Sequence, residues 1–333
     1  MTALSLPALI GLIVVALAFD LLNGLHDTAN SIATMVSTRM LRPRYAVAWA
    51  AFFNFIAFLL FGVHVARTVG VGLIATDAID AHVIFGALMG AISWNLITWW
   101  AGIPSSSSHA LIGGLVGAGV TKAGLASIVW PGLLTTGVFI VLSPLLGFFL
   151  ALFLVLAVSW AFVRANPRMV ESTFQWLQFI AASAISLGHG GNDAQKTMGI
   201  IAVLLFSQGL LGADFYVPFW VVITCQAAMG LGTLIGGWRI VNTVGSKITR
   251  LTPVQGCCAS AAGAIMLIAA TYLGIPVSTT HTVTGSVIGV GAARKLSAVR
   301  WNIATNIVIA WIVTLPASAL MAALFYLASG LMP

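Results

Sequence analysis

Two short polar phrases carry the chemistry of this chain: Gly-Ile-Pro-Ser-Ser-Ser-Ser-His at 102–109 and Gly-Ile-Pro-Val-Ser-Thr-Thr-His at 274–281. Proline followed by Ser or Thr is a helix-start signature, and a helix start presents unpaired N–H groups and about half a positive charge. Two such starts can grip an oxyanion between Ser106, Ser107 and Ser108 on one side and Ser278, Thr279 and Thr280 on the other. His109 and His281 close the clusters, as orienting, titrating or purely structural groups. A second pair of motifs supplies carboxylates: Gly24 to Asn30 (GLHDTAN) holds Asp27, and Gly190 to Lys196 (GGNDAQK) holds Asp193. Asn23, His26, Thr28 and Asn30 surround the first, and His189, Asn192, Gln195 and Lys196 the second. Carboxylate, amide and hydroxyl oxygens suit a proton or a hard cation such as Na⁺ or Mg²⁺. Lys196 stands where the first copy has Asn30, so its ammonium either occupies a cation's place, pairs with an anion, or snorkels to an interface. Asp20 is a third acid in an apolar run, but its counterpart is Ser186.

These groups must be positioned by membrane helices. Of 333 residues, 60% are hydrophobic and 6% charged, where a soluble domain carries roughly a quarter charged. Mean hydropathy is +1.07. Apolar runs recur that are long enough for the roughly 30 Å hydrocarbon core, and the alternating polarity of a β-barrel is missing. The formal charge of +7 sits in short connectors, which reads as topology signal and not as a nucleic-acid patch. Cys225, Cys257 and Cys258 read as small buried hydrophobes. The first apolar run lacks a basic flank before it and is expected to be retained. In the bilayer a charge costs at least about 2.5 kcal/mol at mid-depth, so Asp27 and Asp193 mark an ion or substrate path. Helices are expected near 6–24, 27–39, 45–66, 82–100, 126–163 (kinked at Pro144), 174–189, 192–209, 217–238, 252–273 and 299–328. The segments 103–120 and 275–292 are expected as re-entrant hairpins, tolerated because they face a polar cavity.

The fold class that results is an all-α polytopic membrane protein built of two inverted-topology repeats. A shift of 172 positions carries Ile103-Pro104 onto Ile275-Pro276, His109 onto His281 and Pro144 onto Pro316. Residues 1–163 and 174–333 are read as the two repeats, joined by a polar linker at 164–173. Arg39, Arg42 and Arg44 follow the first acidic motif with no basic equivalent near 205–212, whereas Arg239, Lys247 and Arg250 load a second-half connector. Basic loops facing non-basic equivalents imply opposite insertion of the repeats, with the first residues outside the cytoplasm. Arg294, Lys295 and Arg300 run against that count.

On these motifs the chain resembles the inorganic phosphate transporter (PiT) family, and most closely its compact bacterial low-affinity members. The family's duplicated Gly-Ala-Asn-Asp-x-x-Asn signature is matched at Gly24–Asn30 and Gly190–Lys196, and its duplicated Pro-x-Ser-[Ser/Thr]-[Ser/Thr]-His hairpins at 104–109 and 276–281. The resemblance implies a multi-pass protein of the bacterial cell (inner) membrane, commonly a homodimer in the lipid bilayer. It implies inorganic phosphate as substrate, bound by Ser106–Ser108, Ser278–Thr280 and Lys196, with no cofactor. Coupling would use Asp27, Asn30, Asp193, Asn192, Asn23 and His26. His26 and Gln195-Lys196 depart from the sodium-type signature. Such variants resemble H⁺-coupled carriers of neutral Mg²⁺– or Ca²⁺–phosphate complexes, with Asp27 and Asp193 as the metal ligands. Na⁺ coupling, or sulfate as the anion, are the alternatives within the fold. An intramembrane hydrolase is disfavoured because both copies carry Ser-His and no Gly-x-Ser-x-Gly elbow accompanies them; a channel is disfavoured by the broken-helix repeats.

Overall fold

A chain whose connectors are short and whose runs are apolar has to satisfy its backbone inside helices. Across residues 4–330, the part described by the computed structural model, helices supply every element except one β-bridge between Ile74 and Ile128. In chain order they are α1 (Leu6–Ser37), α2 (Pro43–Ile56), α3 (His64–Val71), α4 (Ala81–Ala101), α5 (Ser107–Ala123) and α6 (Trp130–Ala161). Then follow α7 (Pro167–Ser207), α8 (Phe219–Ile235), α9 (Trp238–Asn242), α10 (Pro253–Tyr272), α11 (Thr279–Arg294) and α12 (Trp301–Ser329). The same order recurs: a long helix bearing an acid, a bent pair (82° at α2–α3, 64° at α8–α9), two helices about a tight turn, and a long helix with an internal proline. Among the described residues, five helices are long and apolar enough to cross a membrane, or up to seven if each bent pair counts as one span. Phe149, Phe153, Ile312 and Leu320 on α6 and α12 stand exposed along those helices, as lipid-facing residues do. The protein is an integral membrane protein.

The Gly-Ile-Pro phrases encode a stop and a start. α4 ends in the left-handed residue Gly102 (φ +67°), with the Ile103 N–H donating back to the Thr98 carbonyl and the Gly102 N–H to that of Trp99. Gly274 (φ +70°) ends α10 the same way, Ile275 donating to Ala270 and Gly274 to Thr271. This paired bonding favours glycine because a Cβ is strained at positive φ. A proline follows, and Ser106 and Ser278 then cap the next helices by accepting the backbone N–H of His109 (3.2 Å) and His281 (3.1 Å). Each phrase therefore reverses the chain within five residues and starts a helix.

Packing crosses the two halves. α5 lies against α12, and α11 against α6. The small residues that permit it are the evenly spaced glycines: Gly113 and Gly117 sit on the carbonyls of Leu315 and Ala319, Gly285 and Gly289 on those of Pro144 and Phe148. Backbones approach this closely only where a Cβ is missing. Both large apolar clusters likewise draw on both halves: one joins α1, α3, α4, α5, α7 and α8, the other α1, α2, α6, α7 and α9 through α12.

Four expectations need correction. The spans read as 6–24 with 27–39 and as 174–189 with 192–209 are each a single helix, α1 and α7, the latter 41 residues long. The polar motif does not break them because their backbone bonds stay internal. The span read as 45–66 is broken instead, between α2 and α3. Segments 103–120 and 275–292 do not fold back on themselves; each is a turn plus one straight arm, and the reversal pairs α4 with α5 and α10 with α11. The linker at 164–173 is mostly helix, since α7 begins at Pro167, where Asn166 accepts the Arg168 N–H at 3.0 Å.

Replacing Gly289 by Leu forces α11 off the Phe148 carbonyl and is expected to cost about 1–3 kcal/mol. Gly137→Ala, which meets nothing within 4 Å, is expected to be silent. Thermal unfolding in detergent measures both.

Candidate functional site

The two long helices place Asp27 of α1 and Asp193 of α7 at the centre of the molecule, where both turns also arrive. Asp27 is met from two sides. Ser107 of α5 donates to it at 2.9 Å and Thr280 of α11 at 3.2 Å, and the Thr279 hydroxyl lies 3.5 Å away. Asp193 accepts the Thr279 hydroxyl at 2.9 Å. The starts of α5 and α11 thus converge on one pair of carboxylates, and the rings of His109 and His281 meet edge to face with centroids 4.3 Å apart. The backbone N–H groups of Ser107, Ser108, Thr279 and Thr280 are those an α-helix leaves without an internal partner. All of these residues are at most 2% exposed, so the constellation is enclosed on every side.

Each carboxylate has a histidine. His26 Nδ1 lies 2.8 Å from Asp27, and His189 Nε2 lies 3.2 Å from Asp193. The other face of His26 leads outward: its Nε2 is 3.1 Å from the Thr98 hydroxyl and 3.3 Å from that of Ser105. Thr98 lines a cavity of about 550 Å³ that also touches exposed Lys247. A hydrogen-bonded line therefore runs from that cavity through Thr98 and His26 to Asp27.

Lys196 is the charged group that distinguishes the two copies. Its ammonium is buried and donates to Asp193, to the Ser108 hydroxyl and to the Val277 carbonyl. Three oxygens from α5, α7 and the second turn surround it, which is how a small cation would be held. In the other copy Asn30 instead donates its amide to Thr279 (3.1 Å) and Thr280 (3.0 Å). The ligand atoms of Asp27, His189 and Asp193 lie within 4.8 Å of one another, close enough to share an ion.

Ser107, Ser108, Thr279, Thr280, Lys196, Asp27, Asp193, Asn30, Asn23 and His26 are thus brought together, with Asn23 accepting the Ser107 hydroxyl. Ser106 and Ser278 use their hydroxyls as helix caps. Asn192 braces the second turn, donating to Thr271 (3.1 Å) and the Ile275 carbonyl (3.2 Å) while accepting the Val277 N–H (3.3 Å). Gln195 accepts the N–H groups of Val65 (2.9 Å) and Ala66 (3.2 Å) and so caps α3. Sequence reasoning passed over Thr98 and Ser105. Ser105 belongs to the hydroxyl run and was within reach; Thr98 is one threonine in an apolar span, with no signal around it.

The sequence profile of the phosphate transporter family matches residues 23–322. A probable low-affinity inorganic phosphate transporter of Rhizobium meliloti is 70% identical over 98% of both chains, and one of Bacillus subtilis is 43% identical over 95% of both. Among solved structures, the sodium-dependent phosphate transporter matches with a TM-score of 0.91 and 26% identity, over 98% of this chain and all of that one.

Asn192→Ala strands the buried Val277 N–H and is expected to cost about 1–3 kcal/mol. A fall in the melting temperature of the purified protein checks it.

Proposed function

Because the chain belongs to the phosphate transporter family, we propose that it imports inorganic phosphate across a bacterial cell membrane in symport with protons, by alternating access of two oppositely inserted repeats. The family is one of transporters and not of enzymes, so the Ser-His pairs are not a nucleophile and its base. One observation carries the reading: two helix starts, one from each half, converge on Asp27 and Asp193 in an enclosed polar centre. Helix starts and hydroxyls supply donors to an oxyanion. The carboxylates supply acceptors, which a protonated phosphate satisfies by donating and sulfate, bare at neutral pH, does not. That favours phosphate over sulfate.

Three features support protons as the coupling ion. Lys196 fills the oxygen cage beside Asp193 with a tethered ammonium, which repels a nearby Na⁺ while offsetting the charge of phosphate. Each carboxylate has a histidine partner, the group best suited to proton exchange near neutral pH. His26 continues through Thr98 to a cavity reaching an exposed lysine. The sodium coupling stated for the structural neighbour is the competing reading. A Mg²⁺ or Ca²⁺ ion travelling with phosphate would meet Asp27, His189 and Asp193.

Labelled phosphate should accumulate in proteoliposomes under an inward proton gradient; accumulation that ignores pH and follows Na⁺ rejects the proton reading. Asp27→Asn and Asp193→Asn are each expected to reduce uptake to background in the same assay, and full activity in either removes that carboxylate from the mechanism. Lys196→Asn, which restores the amide of the other copy, is expected to weaken phosphate binding and to make residual uptake respond to Na⁺.

A further inference from the structure

Asp20 lies on α1 seven residues before Asp27, two helical turns away on the same face. It is fully buried, and neither carboxyl oxygen has a hydrogen-bond partner. Two polar side chains are turned towards it, Asn23 and Thr197. Asn23 Oδ1 stands beside the Ser107 hydroxyl, whose one proton it shares with Asp27, and the Asn23 amide NH2 is left to face Asp20. The Thr197 hydroxyl is buried and itself unpartnered.

The charged and titratable groups facing Asp20 are Asp193 and Lys196 from α7 and Cys225 from α8. Asp193 only adds repulsion. The ammonium of Lys196 has three N–H donors, and all three are spent on Asp193, Ser108 and Val277. Asp20 therefore has no counter-ion of its own. An ionised carboxylate enclosed without a counter-ion costs several kcal/mol, a large share of a folded protein's stability. A sodium ion would require a shell of oxygens, and beside Asp20 the Thr197 hydroxyl supplies one, while the Asn23 amide nitrogen can only donate. A proton requires none. A neutral carboxylic acid and a neighbouring hydroxyl can each donate to or accept from the other, which resolves both unpartnered groups at once.

We propose that Asp20 is a proton-carrying residue of the transport cycle, holding a proton while the centre is enclosed and losing it when the centre opens to water. The step transfers one proton from a carboxyl oxygen to water on one side of the membrane. It is reversed by uptake from water on the other, and no other bond changes. The second half has Ser186 at the equivalent place, so the device exists once per chain. The inference rests on the proton-coupling reading above.

The test uses the full chain reconstituted in liposomes. Asp20→Asn, a permanent mimic of the protonated acid, is expected to keep the exchange of internal for external labelled phosphate and to lose accumulation driven by a pH gradient. Asp20→Glu, which retains an acid, is expected to keep both. Infrared spectra at neutral pH should contain a carboxylic-acid C=O band in the wild type that shifts in Asp20→Glu and vanishes in Asp20→Asn. The Glu variant keeps the assignment decidable if the Asn variant does not fold. Wild-type accumulation by Asp20→Asn, loss of exchange together with accumulation in a folded Asp20→Asn, or lack of a band that responds to position 20 would each overturn the proposal. A wild type driven by Na⁺ alone overturns the coupling reading and the role of Asp20 together, whereas a pH-driven wild type with an unimpaired Asp20→Asn overturns Asp20 alone.

Discussion

A carboxylate cannot stand in the middle of a bilayer without donors around it, and the architecture is arranged about meeting that demand at Asp27 and Asp193. Neither half of the chain meets it alone. Asp27 takes one hydroxyl from α5 and one, Thr280, from α11, and Asp193 takes the Thr279 hydroxyl of α11 and an ammonium from its own helix. The donors arrive because two turns, one from each half, end one helix and begin another beside the carboxylates. The turns can lie so deep because glycines let α5 and α11 press their backbones against α12 and α6. Removing the carboxylates would leave the hydroxyls and helix starts without acceptors, so acid and turn each make the other tolerable.

Much of this was legible in the chain. The duplicated Gly-Ile-Pro phrases announce a helix stop, a rigid turn and a cap within a few residues, and the paired acids in apolar runs announce a buried polar centre. What was not legible is continuity. Gly24 and Gly190 looked like breaks beside charged residues, but each lies in an unbroken helix, where its missing side chain lets α1 approach the Met229 carbonyl on α8 and α7 approach the Asn54 carbonyl on α2. Glycine for bending and glycine for contact read alike in sequence; only the partner backbone separates them. Likewise Asn192 and Gln195 sit in the acidic motif but spend their amides on bracing a turn and capping α3, a use decided by neighbours far away in the chain.

The two copies differ at positions that face the carboxylates. Where Asn30 offers an amide to two hydroxyls, Lys196 offers a full charge to three oxygens. Asp27 is paired with the residue just before it, and Asp193 with a histidine one turn earlier. The framework is therefore shared between the halves while the electrostatics is not, and one side of the centre carries a built-in cation.

Trp311 of α12 touches both turns: its ring nitrogen donates to the Pro104 carbonyl at 3.2 Å, and its indole stacks on His281 with centroids 3.8 Å apart. α5 packs on α12 and α11 on α6, so the helix that follows each turn leans on the other half of the chain. A displacement of α12 would therefore be felt at both turns at once, through the Pro104 carbonyl on one side and the His281 ring on the other.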